Sequence, residues 1–258
     1  MLGGMALESR VDAASAAYLH AVVRRLRAAL GDRLIGAWVV GSAALGDFDA
    51  RRSDLDVQAI ADGRPARREL EALAAELSHP ALPRPARGLE LVLYPREGLE
   101  DPRGPAFALN LNTGPRMDQH VALDPDGDPR FWFVIDVSIA RQHAIALHGP
   151  SAAAAFPEPR RSLVVASLHE ALDWYDAHGG SAAQTILGAC RTWAWATDGR
   201  WRSKRRSARW ARERLLDPGV VDRALRARDG GAAPPGEADV AGVLARARAA
   251  LGEAQPNR

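Results

Sequence analysis

The chain has 258 residues, 47% of them hydrophobic, which suffices for a sizeable core and two modest domains. Its 34 basic and 32 acidic residues leave a net charge of only +2, far from the strong field of a typical basic nucleic-acid binder. A single cysteine, Cys190, excludes an internal disulfide and any cysteine-rich metal site, and no apolar run is long enough to span a bilayer. The opening residues MLGGMALESRVD lack the hydrophobic segment of a signal peptide, so a cytoplasmic protein is expected.

In chain order, Leu7 to Leu30 reads as an amphipathic helix, with Val11, Tyr18, Leu19, Val22, Val23, Leu26 and Leu30 on one stripe. Residues 34–40 read as a buried strand, followed by the turn residues Gly41 and Ser42 and, after a loop, a second strand over 54–60. Gly41 lets the backbone come close to a ligand, so the amides of Ser42 and Ala43 and the Ser42 hydroxyl can face phosphate oxygens. A short helix beginning at Ala43 would add its N-terminal dipole. On the second strand Asp54 and Asp56 share a face, with Leu55 turned away between them. Two carboxylates side by side repel unless a cation lies between them, and such oxygen ligands suit Mg²⁺ together with substrate phosphates. Asp47 and Asp49, in the intervening loop, read as turn residues.

A helix over 65–77 leads to a third apolar strand, 88–94, interrupted by one acid, Glu90. Next to the aspartate pair Glu90 would act as a further metal contact or as a general base; on an edge strand it would simply face water. Residues 95–130 are rich in Gly, Pro and Asp and have weak periodicity, which suggests an acceptor-binding insertion. The stretch Asp124 to Asp128 lacks the spacing of a full calcium loop and reads as a turn. FWFVIDVSIARQHAIAL, 131–147, is expected to be one helix that closes an α/β domain over residues 1–150.

Beyond the glycine and prolines of 148–160 the pattern is wholly helical, with helices expected at about 161–177, 182–197, 204–215, 218–228 and 238–251. A helical bundle over residues 151–258 follows, with EAQPNR as a frayed tail. Trp193, Trp195, Trp201 and Trp210 read as packing aromatics, and Cys190 as helix core. Lys204 is the chain's one lysine amid abundant arginine, and arginine cannot replace lysine at a point-like phosphate contact. With Arg191 it would converge on a triphosphate if the bundle faced the α/β domain.

The spacing of the Gly-Ser turn and SDLD resembles the signature of the nucleotidyltransferase superfamily, and the whole chain resembles the aminoglycoside 3″-adenylyltransferases that act on streptomycin and spectinomycin. The family's R-x-W…TG…K…WA…RL pattern stands here as Arg191, Trp193, Thr197 to Gly199 with Asp198 inserted, Lys204, Trp210, Ala211, Arg214 and Leu215. Arg141 to Pro150 is similar to the segment that precedes the family's helical domain. The resemblance implies a polymerase-β-like domain followed by a helical domain, and adenylyl transfer from ATP to a hydroxyl of a small acceptor. By the same resemblance Gly41 and Ser42 hold phosphates, Asp54 and Asp56 hold Mg²⁺, Glu90 is the base, and Arg191 and Lys204 contact the triphosphate. Gly114 and Ser181 stand where the streptomycin-modifying members carry a tryptophan and an aspartate, so the acceptor is less determined than the nucleotide chemistry. A monomer is expected, without membrane or nucleic-acid partners. The alternative reading is a nucleotide-binding or arginine-rich nucleic-acid-binding protein without turnover.

Overall fold

The computed structural model describes residues 7–83, 85–115, 117–178, 181–231 and 233–254, so the tail residues 255–258 lie outside the described part. The chain divides into two compact units, one ending at Pro159 and the other beginning at Arg160. An α/β unit is thus followed by an all-α unit. Among the described residues, no helix is long and apolar enough to cross a membrane.

The first unit opens with α1 (Ala13–Leu30) and a 3₁₀ turn, followed by β1 (Leu34–Val39), the short α2 (Gly41–Ala44), β2 (Leu55–Ala61), α3 (Arg67–Leu77) and β3 (Leu89–Pro95). After a second 3₁₀ turn come β4 (Leu109–Gly114), β5 (Met117–Ala122), α4 (Arg130–His143), β6 (Ile145–His148) and the short α5 (Ala152–Ala155). The strands form one sheet in the order β5-β4-β3-β2-β1-β6. Only β2 and β3 run parallel, joined by the α3 crossover, while every other neighbouring pair is antiparallel.

Alternation along the strands builds two cores. Leu55, Val57 and Ala59 of β2 and Leu89, Leu91 and Leu93 of β3 pack with Leu19, Val22 and Leu26 of α1 and Leu70, Leu73 and Leu77 of α3. On the opposite face Trp38, Ile60, Val92 and Tyr94 pack with Phe133, Val137 and Ala140 of α4. The Trp38 indole donates to Pro150 O at 3.0 Å and meets Phe156 edge-on at 5.0 Å, which ties the end of the unit to its centre.

Three expectations from the sequence are corrected. The helix expected from Leu7 to Leu30 is interrupted: Leu7 and Glu8 are helical, a turn follows, and α1 starts afresh at Ala13, where extended Asp12 accepts from the Ser15 backbone N–H and hydroxyl, each at 2.9 Å. Leu7 is nevertheless in the core, which is why it fits the apolar stripe. The helix expected over 131–147 stops at His143; Ala144 is extended, and Ile145–His148 pair with β1. There Ile145 and Leu147 lean on the α1 side of the sheet while Ala144 and Ala146 lean on the α4 side, a period of two too short to stand out in the sequence. The segment 95–130 is not structureless but contains the hairpin β4–β5. Its polar outer residues mask the alternation, and Asp128 anchors it by accepting from Asn110 at 2.9 Å and contacting His120 at 3.2 Å.

The second unit consists of α6 (Arg161–His178), α7 (Ala182–Asp198), α8 (Lys204–Arg212), α9 (Gly219–Arg228) and α10 (Glu237–Glu253), close to the expected bounds. α7 is its spine, buried on all sides from Thr185 to Ala196 apart from Arg191. Ser181 caps it by accepting from Gln184 N–H at 3.2 Å, and Gly199 ends it in the left-handed conformation. Trp193 meets Trp210 edge-on at 5.1 Å and Trp195 stacks on Trp201 at 5.4 Å, as expected of packing aromatics. Cys190 is fully buried, and burial pushes its thiol up to about 12.

Replacing Asp12 with Ala removes both cap bonds of α1 and is expected to cost about 1 kcal/mol of stability, read as a lower urea midpoint with unchanged slope.

Candidate active site

The chemistry-bearing residues of the first unit gather where β1 ends and β2 begins, on the α4 face of the sheet. Val40 hands the chain to α2 directly: its N–H donates to Asp56 O at 2.9 Å, and Gly41 then turns with φ +59°. A methyl group built on Gly41 would overlap the Asp56 carboxyl, so both the backbone angle and the neighbouring side chain demand glycine. The Ser42 backbone N–H donates to the Asp56 carboxylate, while the Ser42 hydroxyl is buried with no hydrogen-bond partner among the described residues. Ser42 therefore presents an uncommitted oxygen beside the acid.

Parallel pairing sets the carboxylates. Register places Asp56 of β2 opposite Glu90 of β3, next to each other on one face, with Asp54 two residues earlier on the same face. Glu90 is on a central strand, not the edge strand of the alternative reading, yet its side chain is exposed. A fourth carboxylate, Asp136, comes from α4 on the stripe of Phe133, Val137 and Ala140 that packs on the sheet. Burial first, then the charges of Glu90, Asp136 and Asp54, hold the Asp56 carboxyl well above the ordinary carboxylate range, against the opposing Ser42 N–H. Asp136 also acts on Tyr94, whose phenol is raised mainly by burial and whose hydroxyl is buried without a hydrogen-bond partner among the described residues.

The sequence reading missed Asp136, although the signal was present: a lone acid in the apolar helical run FWFVIDVSIA is as anomalous as Glu90 in its strand. It also missed Arg87, whose guanidinium lies 3.5 Å from the Asp54 carboxylate. Among the described residues, no three His, Cys, Asp or Glu side chains already converge tightly enough to hold a metal ion. Repulsion among four carboxylates favours that spread. The donor set, carboxylates plus a hydroxyl, is of the all-oxygen kind that a hard divalent cation takes.

The remaining candidates are carried by other elements. Asp49 is a turn residue as expected: it pairs with Arg52 and accepts from Arg51 N–H, while Ser53 bonds back to it. In the second unit Arg191 lies over the Trp201 ring, 5.9 Å from guanidinium carbon to ring centroid, and Lys204 opens α8. The first turn of α8 carries Lys204, Arg205 and Arg206 and no acid, the unfavourable sign for a helix N-terminus. Arg205 is neutralised by Asp229 at 2.6 Å, as is Arg202 by Asp198. Gly114 ends β4, and the Ser181 hydroxyl is occupied as a cap.

Replacing Asp56 with Asn keeps an acceptor for Ser42 N–H but removes the crowded charge. Because the folded chain binds this proton more tightly than the unfolded one, the native protein loses stability as pH rises from the usual carboxylate range through the raised value. The Asp56→Asn protein is expected to be more stable by about 1–2 kcal/mol at about pH 8, with the gain vanishing below about pH 4. Thermal unfolding across pH checks this.

Residues 157–252 match the family model for the aminoglycoside adenylyltransferase C-terminal domain. No curated protein sequence matches the chain significantly. Among solved structures, the chain is similar in fold to the spectinomycin adenyltransferase AAD(9) from Enterococcus faecialis, determined with ATP and spectinomycin. The TM-score is 0.70 at 16% sequence identity, over 92% of this chain and 98% of that one. The helical unit thus matches the C-terminal domain model of the aminoglycoside adenylyltransferases, and the chain as a whole shares the fold of that solved structure.

Proposed function

We propose that this protein is a Mg²⁺-dependent nucleotidyltransferase that moves AMP from ATP to a hydroxyl of a small acceptor. The observation that carries the reading is the alignment of Asp54, Asp56 and Glu90 on one sheet face beside the Gly41–Ser42 turn. Asp54 and Asp56 are the residues to hold Mg²⁺, which when bound neutralises phosphate charge and the leaving pyrophosphate. The chain's own residues do the rest. The Ser42 hydroxyl and the α2 turn bind phosphate oxygens. The exposed Glu90 carboxylate takes the acceptor's proton as its oxygen bonds to the α-phosphorus and the α–β bridging bond breaks, releasing pyrophosphate.

Arg191 and Lys204 are the proposed triphosphate contacts of the helical unit. The first turn of α8 has no acid of its own, and apart from Arg205, which Asp229 neutralises, its cations Lys204 and Arg206 oppose the helix dipole, an arrangement that an anion relieves. Asp198 and Asp229 neutralise Arg202 and Arg205, which weakens the case for that cluster as a nucleic-acid surface. The structural relative was determined with spectinomycin, so aminocyclitols and aminoglycosides are the acceptors to test first. Gly114 and Ser181 offer no cation-gripping group, which favours an acceptor held differently from streptomycin.

The test is Mg²⁺-dependent pyrophosphate release from ATP across a panel of hydroxyl-bearing antibiotics; no release with any acceptor refutes the transferase reading. Glu90→Gln is expected to keep ATP affinity while turnover falls by about two to four orders of magnitude. Lys204→Ala is expected to weaken MgATP binding about ten- to hundredfold by calorimetry, with Arg206→Ala as a near-neutral control.

A further inference from the structure

Arg87 is placed by the fold, not by chance at the surface. Its backbone N–H donates to Ser53 O at 3.3 Å, and next to it Leu55 N–H donates to Gly88 O at 2.7 Å, so the chain on either side of Asp54 is bonded to the chain around Arg87. The base of the arginine is fixed where β2 and β3 begin. Its head is not: the side chain is 55% exposed, while Asp54, 3.5 Å away, is 15% exposed. A long cationic side chain on a fixed base, paired to a carboxylate at the edge of an over-charged cluster, has two uses there. It offsets part of the repulsion that Asp54 feels, and it can turn towards any anion that enters.

We propose that Arg87 is a polyphosphate-binding residue that shares Asp54 with the divalent cation: guanidinium and metal are alternatives at that carboxylate, and the arginine released by the metal grips the phosphates that arrive with it. The inference rests on the nucleotidyltransferase reading and deepens it. The exchange keeps charge balanced at each stage, because the carboxylate passes from one cation to another while the freed guanidinium meets an incoming anion. Arginine suits this role better than lysine, since its planar fork can bind a carboxylate or a phosphate in turn with the same pair of N–H groups.

The two uses have opposite signs in a variant, which a merely structural arginine would not show. Arg87→Ala is expected to bind Mn²⁺ about three- to tenfold more tightly in the absence of nucleotide, because a competitor at Asp54 is gone. The same variant is expected to bind MgATP about tenfold or more weakly. Arg87→Gln, similar in length and uncharged, should behave alike, which guards against a packing effect. Thermal unfolding supplies a third reading: the variants should melt below the native protein in EDTA and approach it when Mg²⁺ is added. Calorimetric titration of Mn²⁺ and of MgATP into the three proteins decides the matter. If the native protein binds neither ligand, the reading of the site falls and this inference with it. If the native protein binds both and the variants match it, or if the variants bind both more weakly, the inference alone is overturned.

Discussion

Like-charge crowding at the start of β2 is the constraint on which the site depends. Asp56 is half-buried among Glu90, Asp136 and Asp54, an arrangement that disfavours folding of the segment carrying it. The fold tolerates this because the other face of the same strands is unusually complete. Leu55, Val57, Leu89, Leu91 and Leu93 are almost wholly buried against α1 and α3. Each carboxylate of the pair β2–β3 is thus flanked along the chain by side chains that hold the strand from behind. The parallel register follows from the α3 crossover, and with it the side-by-side placement of Asp56 and Glu90.

The helical unit solves a different problem with the same economy. α7 is buried along most of its length and carries only two charged side chains, Arg191 and Asp198, as suits a central helix, and its ends are closed by Ser181 and Gly199. Several of the surrounding arginines are paired: Arg202, Arg205, Arg212 and Arg223 each find an aspartate. These exposed pairs contribute little to stability. Their effect is to remove diffuse positive charge from an arginine-rich surface, which sharpens whatever cationic contacts are left uncommitted.

Much of this was legible in the sequence, and the reasons differ by element. Long apolar stripes and caps gave the five helices of the second unit to within a few residues, because every turn repeats the same signal. β2 and β3 were legible from dense apolar runs. The hairpin β4–β5 and the edge strand β6 were not, since an edge strand exposes polar residues on one side and Ile145 to His148 is only four residues long. At the site, Asp54, Asp56 and Glu90 stood out by spacing, and Gly41 by its turn. Asp136 and Arg87 belong to the cluster only through tertiary packing and pairing, which no local pattern encodes. The exposure of Glu90 was likewise decided by its place at the open end of a central strand.

The contact between Gly41 and Asp56 also links two positions that are fifteen residues apart in the chain. Neither can drift alone. A side chain at 41 would evict the carboxyl at 56, whereas loss of the acid would leave only the positive φ as a restraint, a restraint that asparagine also satisfies. Substitution at these two sites is therefore coupled and directional: the acid can be lost first, but the glycine cannot. Among sequences of this architecture, a glycine at the turn facing a small neutral residue on the strand would mark a scaffold in which the chemistry decayed before the backbone did.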